Sequence, residues 1–285
     1  MNLTRRVTGG PGDDDAAPAA GQAVEPAAAA TSPLRLRRGD DAEEAWAALP
    51  SVGLRTARLR RRRIVTFDKR EPAHMAYDML RTRVLHRFRA EGWRSLALTS
   101  PAPGCGKTLT CANLAFSFAR QSNCRTLLLD LDLRRPSLGG LLGIRPTVCV
   151  SQLLAGRAAP EEVLLRLSDT LAVGLAAGPV RHSAELLHDE RAVEALAATM
   201  VRVAPDVILY DLPPLLASDD AAAFLGRADA AMLVVAAGET PLEDIDLCAR
   251  QIGALTNDLG VVLNKSEFMP RRYYGYGYGY GPVDR

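Results

Sequence analysis

Ser95-Leu-Ala-Leu-Thr-Ser-Pro-Ala-Pro-Gly-Cys-Gly-Lys-Thr108 decides the fold of this chain. The apolar run Ser95–Ser100 predicts a buried strand, and the stretch from Thr108 to Gln121 predicts a helix. Between them lies a glycine-containing loop that ends in Lys107-Thr108. Phosphate groups need a concave row of backbone N–H groups at a helix N-terminus, and glycines let the backbone close tightly around them. Gly104, Cys105 and Gly106 supply that backbone, Lys107 neutralises β/γ-phosphate charge, and the Thr108 hydroxyl ligates Mg²⁺. The strict G-x-x-x-x-G-K-[ST] pattern is missed, because Pro101 stands where its first Gly belongs.

Two further strand ends point to the same chemistry. Leu127–Ser137 reads LLLDLDLRRPS and Val207–Pro214 reads VILYDLPP. Each places carboxylates just where a predicted strand stops: Asp130 and Asp132 in one, Asp211 in the other. A hard cation shared with substrate phosphates needs such oxygens. Asp132 and Asp211 are the candidate metal residues with Thr108, and Asp130 is the candidate for activating an incoming hydroxyl.

Outward from these motifs, strand and helix signals alternate from about Ile64 to Met269. Further strands are predicted at Arg125–Asp130, Leu171–Ala177, Val207–Asp211, Ala231–Ala236 and Gly260–Asn264. Further helices are predicted at His74–Ala90, Pro160–Leu167, Ala184–Val203 and Leu242–Thr256. Buried strands separated by helical patterns give an α/β fold, a doubly wound and mostly parallel sheet of the P-loop NTPase kind, with ligands at the carboxyl ends of the strands.

The expected division is residues 1–63 as an N-terminal segment, 64–270 as the ATP-binding domain and 271–285 as a Tyr/Gly tail. Residues 1–50 are rich in Ala, Pro, Gly and Asp with one aromatic, Trp46, and read as unfolded. The arginine run Arg55–Arg63 reads either as a solvated linker or as a contact for anionic lipid headgroups or an acidic partner. A net charge of +2 argues against a chain built around nucleic acid. Five scattered cysteines without a Cys-x-x-Cys pair fit reduced thiols and a cytoplasmic setting. No stretch approaches the ~20 uninterrupted apolar residues of a membrane helix.

From about His74 onward the chain resembles the bacterial tyrosine autokinases that regulate capsule and exopolysaccharide synthesis. The resemblance rests on Ser100–Thr108, Leu127–Ser137 and Val207–Pro214 in that order, with weaker matches at Ser151–Gly156, Ala177–Leu187, Asp220-Ala221 and Val261–Lys265. It implies ATP and Mg²⁺ as cofactors, and autophosphorylation of the cluster Tyr273, Tyr274, Tyr276, Tyr278 and Tyr280. It implies a homo-oligomer at the inner face of the plasma membrane, recruited by a membrane polysaccharide co-polymerase whose cytoplasmic segment activates it, and a phosphotyrosine phosphatase that reverses the reaction. It also implies that Asn264 contacts the adenine base.

The family's Glu-x-x-Arg-x-x-Arg assembly motif is here Met75, Asp78 and Arg81, which leaves Arg81, Arg83 and Arg87 as candidates for another mode of assembly. Two other readings compete: a non-catalytic ATP-binding scaffold and a partitioning ATPase. The latter class carries a second lysine where this chain has Ala102.

Overall fold

The computed structural model describes residues 38–67 and 73–266. In chain order the elements are α1 (Asp40–Ala48), α2 (Thr56–Arg61), α3 (His74–Glu91), β1 (Ser95–Thr99), α4 (Lys107–Ala119), β2 (Thr126–Asp130), α5 (Leu138–Leu142), α6 (Val150–Leu154), α7 (Pro160–Val163), β3 (Leu164–Ser168), β4 (Leu171–Gly174), α8 (Ser183–His188), α9 (Glu190–Val203), β5 (Val207–Asp211), α10 (Asp220–Leu225), β6 (Ala230–Ala236), α11 (Leu242–Leu255) and β7 (Asn257–Asn264).

The seven strands form one sheet in the order β3-β4-β2-β5-β1-β6-β7. Every pair is parallel except β3 with β4. Strands β1, β2, β5 and β6 are buried along their whole length. Their alternate residues serve two cores, one on each face. Ala97, Leu127, Leu129, Ile208 and Tyr210 face a core completed by α6, α9, α10 and α11. Leu96, Leu98, Leu128, Val207 and Leu209 face a second core completed by α2, α3, α4 and α5.

Strand order explains why three distant sequence motifs meet. β2, β5 and β1 are neighbours, and Asp130 lies opposite Asp211, which lies opposite Leu98. The phosphate-loop strand and both carboxylate strands therefore end side by side at the carboxyl edge of the sheet. This is the ligand edge of a doubly wound fold.

Three sequence expectations need correction. The helix predicted at Pro160–Leu167 stops at Val163, and Leu164–Ser168 is strand β3. Its backbone pairs antiparallel with β4, and that tertiary pairing overrides the local pattern. The helix predicted at Ala184–Val203 is two helices, broken at Asp189, whose side chain accepts the Arg191 N–H and caps α9.

The third correction concerns the stretch expected to be unfolded to residue 50 and the linker reading of the arginine run after it, because residues 38–63 are folded onto the core. Trp46 is 2% exposed, donates its indole N–H to the Asp169 carbonyl at 2.9 Å, and lies under the Arg125 guanidinium. Arg38 pairs with buried Asp206, the Val52 N–H donates to the carbonyl of Arg166 in β3, and the Arg166 N–H donates to the Pro50 carbonyl. A single large aromatic and a few charge pairs hold a segment whose composition alone is too polar to fold. Residues 1–37 and the tail 271–285 lie outside the described residues.

Replacing Trp46 by Ala removes a buried indole and its hydrogen bond, and is expected to lower stability by about 3–5 kcal/mol. Equilibrium urea unfolding of the two proteins checks this. A loss under about 1 kcal/mol would show that α1 is peripheral to the fold.

Candidate active site

Gly104 and Gly106 take φ of +88° and +92°, a left-handed backbone that favours glycine, and so turn the chain from β1 into α4. Asn264, at the end of β7, donates its amide N–H to the Cys105 carbonyl at 2.8 Å. A Cβ on Gly106 would collide with that amide. Asn264 thus braces the outer side of the loop. Cys105 is buried, with its sulfur 3.8 Å from the Thr240 hydroxyl.

Lys107, the first residue of α4, points back into the sheet edge. Its ammonium lies 2.7 Å from Asp132 and 3.5 Å from Asp211, and all three side chains are almost wholly buried. Burial pulls the Lys107 pKa down, but the carboxylates of Asp211, Asp132 and Asp130 outweigh it and leave the lysine above its ordinary value. It is a permanent cation.

Asp130 is fully buried. One of its oxygens accepts the Leu138 N–H at 3.2 Å and the other has no partner. Burial first, and then the charge of Asp211, hold its carboxyl well above the ordinary range. Asp211 is also raised, by burial, while Lys107 and the Thr108 hydroxyl oppose the shift; its second oxygen has no partner. A carboxylate oxygen buried without a partner costs free energy, and such oxygens are disproportionately found where a ligand is received.

Around this centre a cleft of about 770 Å³ opens between the phosphate loop, Asp132–Ser137 and Pro213–Ser218. Ser137 donates its hydroxyl to Thr108 at 3.1 Å, and Asp132 accepts the Arg135 N–H at 3.1 Å. Arg134 reaches away to Asp220 at 2.7 Å and Asp219 at 3.0 Å, bracing the start of α10. Two contributors escaped the sequence reading. Ser137 lay inside a quoted motif without a role of its own, and Arg62 lines the cleft from the arginine run.

The structure brings together Gly104, Cys105, Gly106, Lys107, Thr108, Asp130, Asp132, Asp211 and Asn264. The tyrosines Tyr273, Tyr274, Tyr276, Tyr278 and Tyr280 lie outside the described residues. Arg81, offered as an assembly residue, is committed inside the chain: it bonds Asp78 at 3.1 Å and the Ser117 carbonyl at 3.0 Å. Asp78 also takes Arg120 and the Ser117 hydroxyl, so α3 is pinned to α4. Arg87 pairs with Glu91 at 3.4 Å, while Arg83 is exposed.

The family described as CobQ/CobB/MinD/ParA nucleotide binding domain matches residues 96–271. The tyrosine-protein kinase YwqD of Bacillus subtilis is 30% identical over 228 residues, which is 78% of this chain and 93% of YwqD. The chain belongs to the bacterial tyrosine-protein kinases. Tyrosine-protein kinase CpsD of Streptococcus pneumoniae is 32% identical over 182 residues, 62% of this chain and 78% of CpsD. Among solved structures, the kinase domain of Escherichia coli tyrosine kinase ETK superposes with a TM-score of 0.63 at 27% identity, covering 74% of this chain and 82% of that one. The chain thus joins the nucleotide-binding fold to the tyrosine-kinase branch. Among its described residues no helix is long and apolar enough to cross a membrane.

Two outcomes test this geometry. Gly106→Ala strains the loop and strikes Asn264, so nucleotide affinity is expected to fall roughly tenfold or more, measured by calorimetry. A Gly106→Ala protein that binds ATP normally would remove the loop from the site. Asp130→Asn concerns pH. A carboxyl whose folded pKa is raised contributes stability below its unfolded value and loses it as pH rises through the folded value. The Asn variant lacks that loss, so its melting temperature is expected to gain on wild type as pH rises through the range above the ordinary carboxylate value. A constant difference across that range would show that Asp130 titrates normally.

Proposed function

We propose that this kinase transfers the γ-phosphoryl group of Mg·ATP to the tyrosines of its own C-terminal tail, and that it thereby regulates the synthesis and export of an exopolysaccharide or capsule. The observation that carries the reading is the buried Lys107 ammonium held between Asp132 and Asp211 at the start of α4, with Asp130 and Asp211 each keeping one oxygen without a partner.

The residues divide the work. Backbone N–H groups of Gly104–Thr108 cradle the β- and γ-phosphates, and Lys107 neutralises charge that spreads over the transferring group. Thr108, Asp132 and Asp211 are the oxygens suited to Mg²⁺. Among the described residues no group of three His, Cys, Asp or Glu is arranged to hold a metal alone, which fits an ion that takes its other ligands from phosphate and water. Bound there, the ion would offset the charge of the phosphate chain.

Asp130 accepts the phenolic proton as the tyrosine oxygen bonds to the γ-phosphorus and the bond to the ADP oxygen breaks. Burial raises the Asp130 pKa, which makes its ionised form the stronger proton acceptor. Asn264 serves the nucleotide indirectly, by fixing the loop at Cys105.

Five tyrosines between positions 273 and 280, the last four alternating with glycine, supply the acceptor hydroxyls in this reading. From Lys265 to Tyr280 the chain reaches up to ~50 Å when extended, enough for a neighbouring subunit. The full modification of one tail adds roughly −7 to −10 charge, which drives assembled tails apart. The working form in this reading is a homo-oligomer, activated at the membrane by the cytoplasmic segment of a polysaccharide co-polymerase and reset by a phosphotyrosine phosphatase. Since Arg81 is occupied within the chain, its contacts would come from other surfaces, Arg83 among them.

An anti-phosphotyrosine blot with Mg·ATP tests the proposal. Wild type is expected to give signal, and Lys107→Met and a variant with all five tail tyrosines changed to Phe are expected to give none, with and without the partner's segment. A wild type that binds ATP yet stays blank with its partner would leave a non-catalytic scaffold in place of the kinase.

A further inference from the structure

The helix α2 lies ahead of the matched nucleotide-binding family region, yet Arg62, the residue that follows it, lines the site. The helix is fixed at its C-terminal end. Leu59 and Ile64 are buried in the core against α3 and α4. Asn113, on α4, donates to the Arg63 carbonyl at 3.1 Å and accepts from Val65 N–H at 2.7 Å, while the Thr66 hydroxyl donates to the Asn113 carbonyl at 2.7 Å. Arg63 turns through a left-handed φ of 59° to make these contacts. The same helix that begins with Lys107 therefore positions the arginines of α2.

Arg62 lines the phosphate cleft. Arg62 and Gly140 also line a second pocket of about 730 Å³, which continues past Arg58 to Arg145. Gly140 leaves its floor open, and the Arg58 side chain lies across Gly143 where a Cβ would stand. No Asp or Glu lines this pocket. Among the described residues no carboxylate pairs with Arg58, Arg62 or Arg145. Three guanidinium groups without an acid partner, facing a concave surface beside a phosphoryl-transfer site, are matched by a phosphate monoester.

We propose that the pocket of Arg58, Arg62 and Arg145 binds a phosphotyrosine of the C-terminal tail, and so holds a once-modified tail in place while the next tyrosine is phosphorylated. This rests on the reading that the tail is the phosphoacceptor. The charge of the tail supports the order of events. Unmodified, residues 271–285 carry Arg271, Arg272 and Arg285 against Asp284, a cationic stretch that an arginine pocket repels. One phosphotyrosine adds about −1.5 to −2 and reverses that sign locally. Spacing supports it too. Tyr274, Tyr276, Tyr278 and Tyr280 alternate with glycine, so in an extended chain they share one face at ~7 Å intervals. A docked phosphate and a neighbouring free tyrosine can then occupy the two pockets that meet at Arg62 and Gly140.

The test uses the full chain with its five tail tyrosines changed to Phe, saturated with ADP, as receptor. Two labelled peptides of residues 271–285 serve as probes in fluorescence anisotropy, one unmodified and one phosphorylated at Tyr278. The phosphopeptide is expected to bind at least tenfold more tightly, and Arg58→Ala combined with Arg145→Ala is expected to erase that preference while leaving ATP affinity unchanged. Arg145→Ala alone, at an exposed position, should weaken the phosphopeptide severalfold without altering the melting temperature. Equal affinity for the two peptides, a preference that survives the double replacement, or displacement by equimolar inorganic phosphate would each overturn the proposal. Phosphotyrosine formation by wild type alongside equal peptide affinities would sink this pocket and leave the kinase intact. A phosphopeptide preference in a chain that makes no phosphotyrosine would do the reverse.

Discussion

Lys107 is a cation held in a buried nest of carboxylates, with Asp132 at 2.7 Å, Asp211 at 3.5 Å and Asp130 close behind. Removing four charged groups from water is costly, and attraction among them offsets the cost only when their geometry is good. The nest has one positive charge for three acids. Burial and mutual repulsion answer that imbalance by raising the pKa values of Asp130 and Asp211. The site is accordingly short of cationic charge and supplied with free carboxylate oxygens, the condition under which a divalent ion and a phosphate chain complete it. Strand order, helix placement and the loop glycines all serve to keep these four side chains together.

The sheet makes that possible by putting β5 between β2 and β1. In parallel register, Asp130 and Asp211 end at the same height, and the phosphate loop leaves β1 one strand away. Helix α4 then runs back across one face with nine of its residues buried, so the loop is anchored by the core. Arg134 performs a similar service on the other side of the cleft by tying the second carboxylate motif to Asp220 on α10.

The segment before the matched family region changes how the kinase site is bounded. Residues 38–66 are bound to the domain at Asp206, Asp169, Arg166 and Asn113. They add Arg62 to the nucleotide site, and Arg58 with Arg62 to the neighbouring pocket beside the glycines of α5. The arginine run is therefore no solvated linker, because Leu59 and Ile64 are buried and fix its orientation.

By itself the sequence determined the parallel α/β fold and the site's chemistry. Runs such as Leu127–Leu129 and Val207–Tyr210 are apolar on both faces, which only a doubly covered strand satisfies, and Lys107, Asp130, Asp132 and Asp211 stand at the ends of those runs. Tertiary structure decided what local pattern leaves ambiguous. Leu164–Ser168 is a strand because β4 offers its edge. Asp40–Ala48 is an ordered helix because one indole finds a pocket and the Asp169 carbonyl. Asn264 braces the loop because β7 ends beside Cys105, 159 residues earlier in the chain. Arg62 reaches the cleft because Asn113 clamps the turn that follows it. Each of these depends on contacts between residues far apart in sequence, and long-range partners leave no periodic mark on either of the stretches they join.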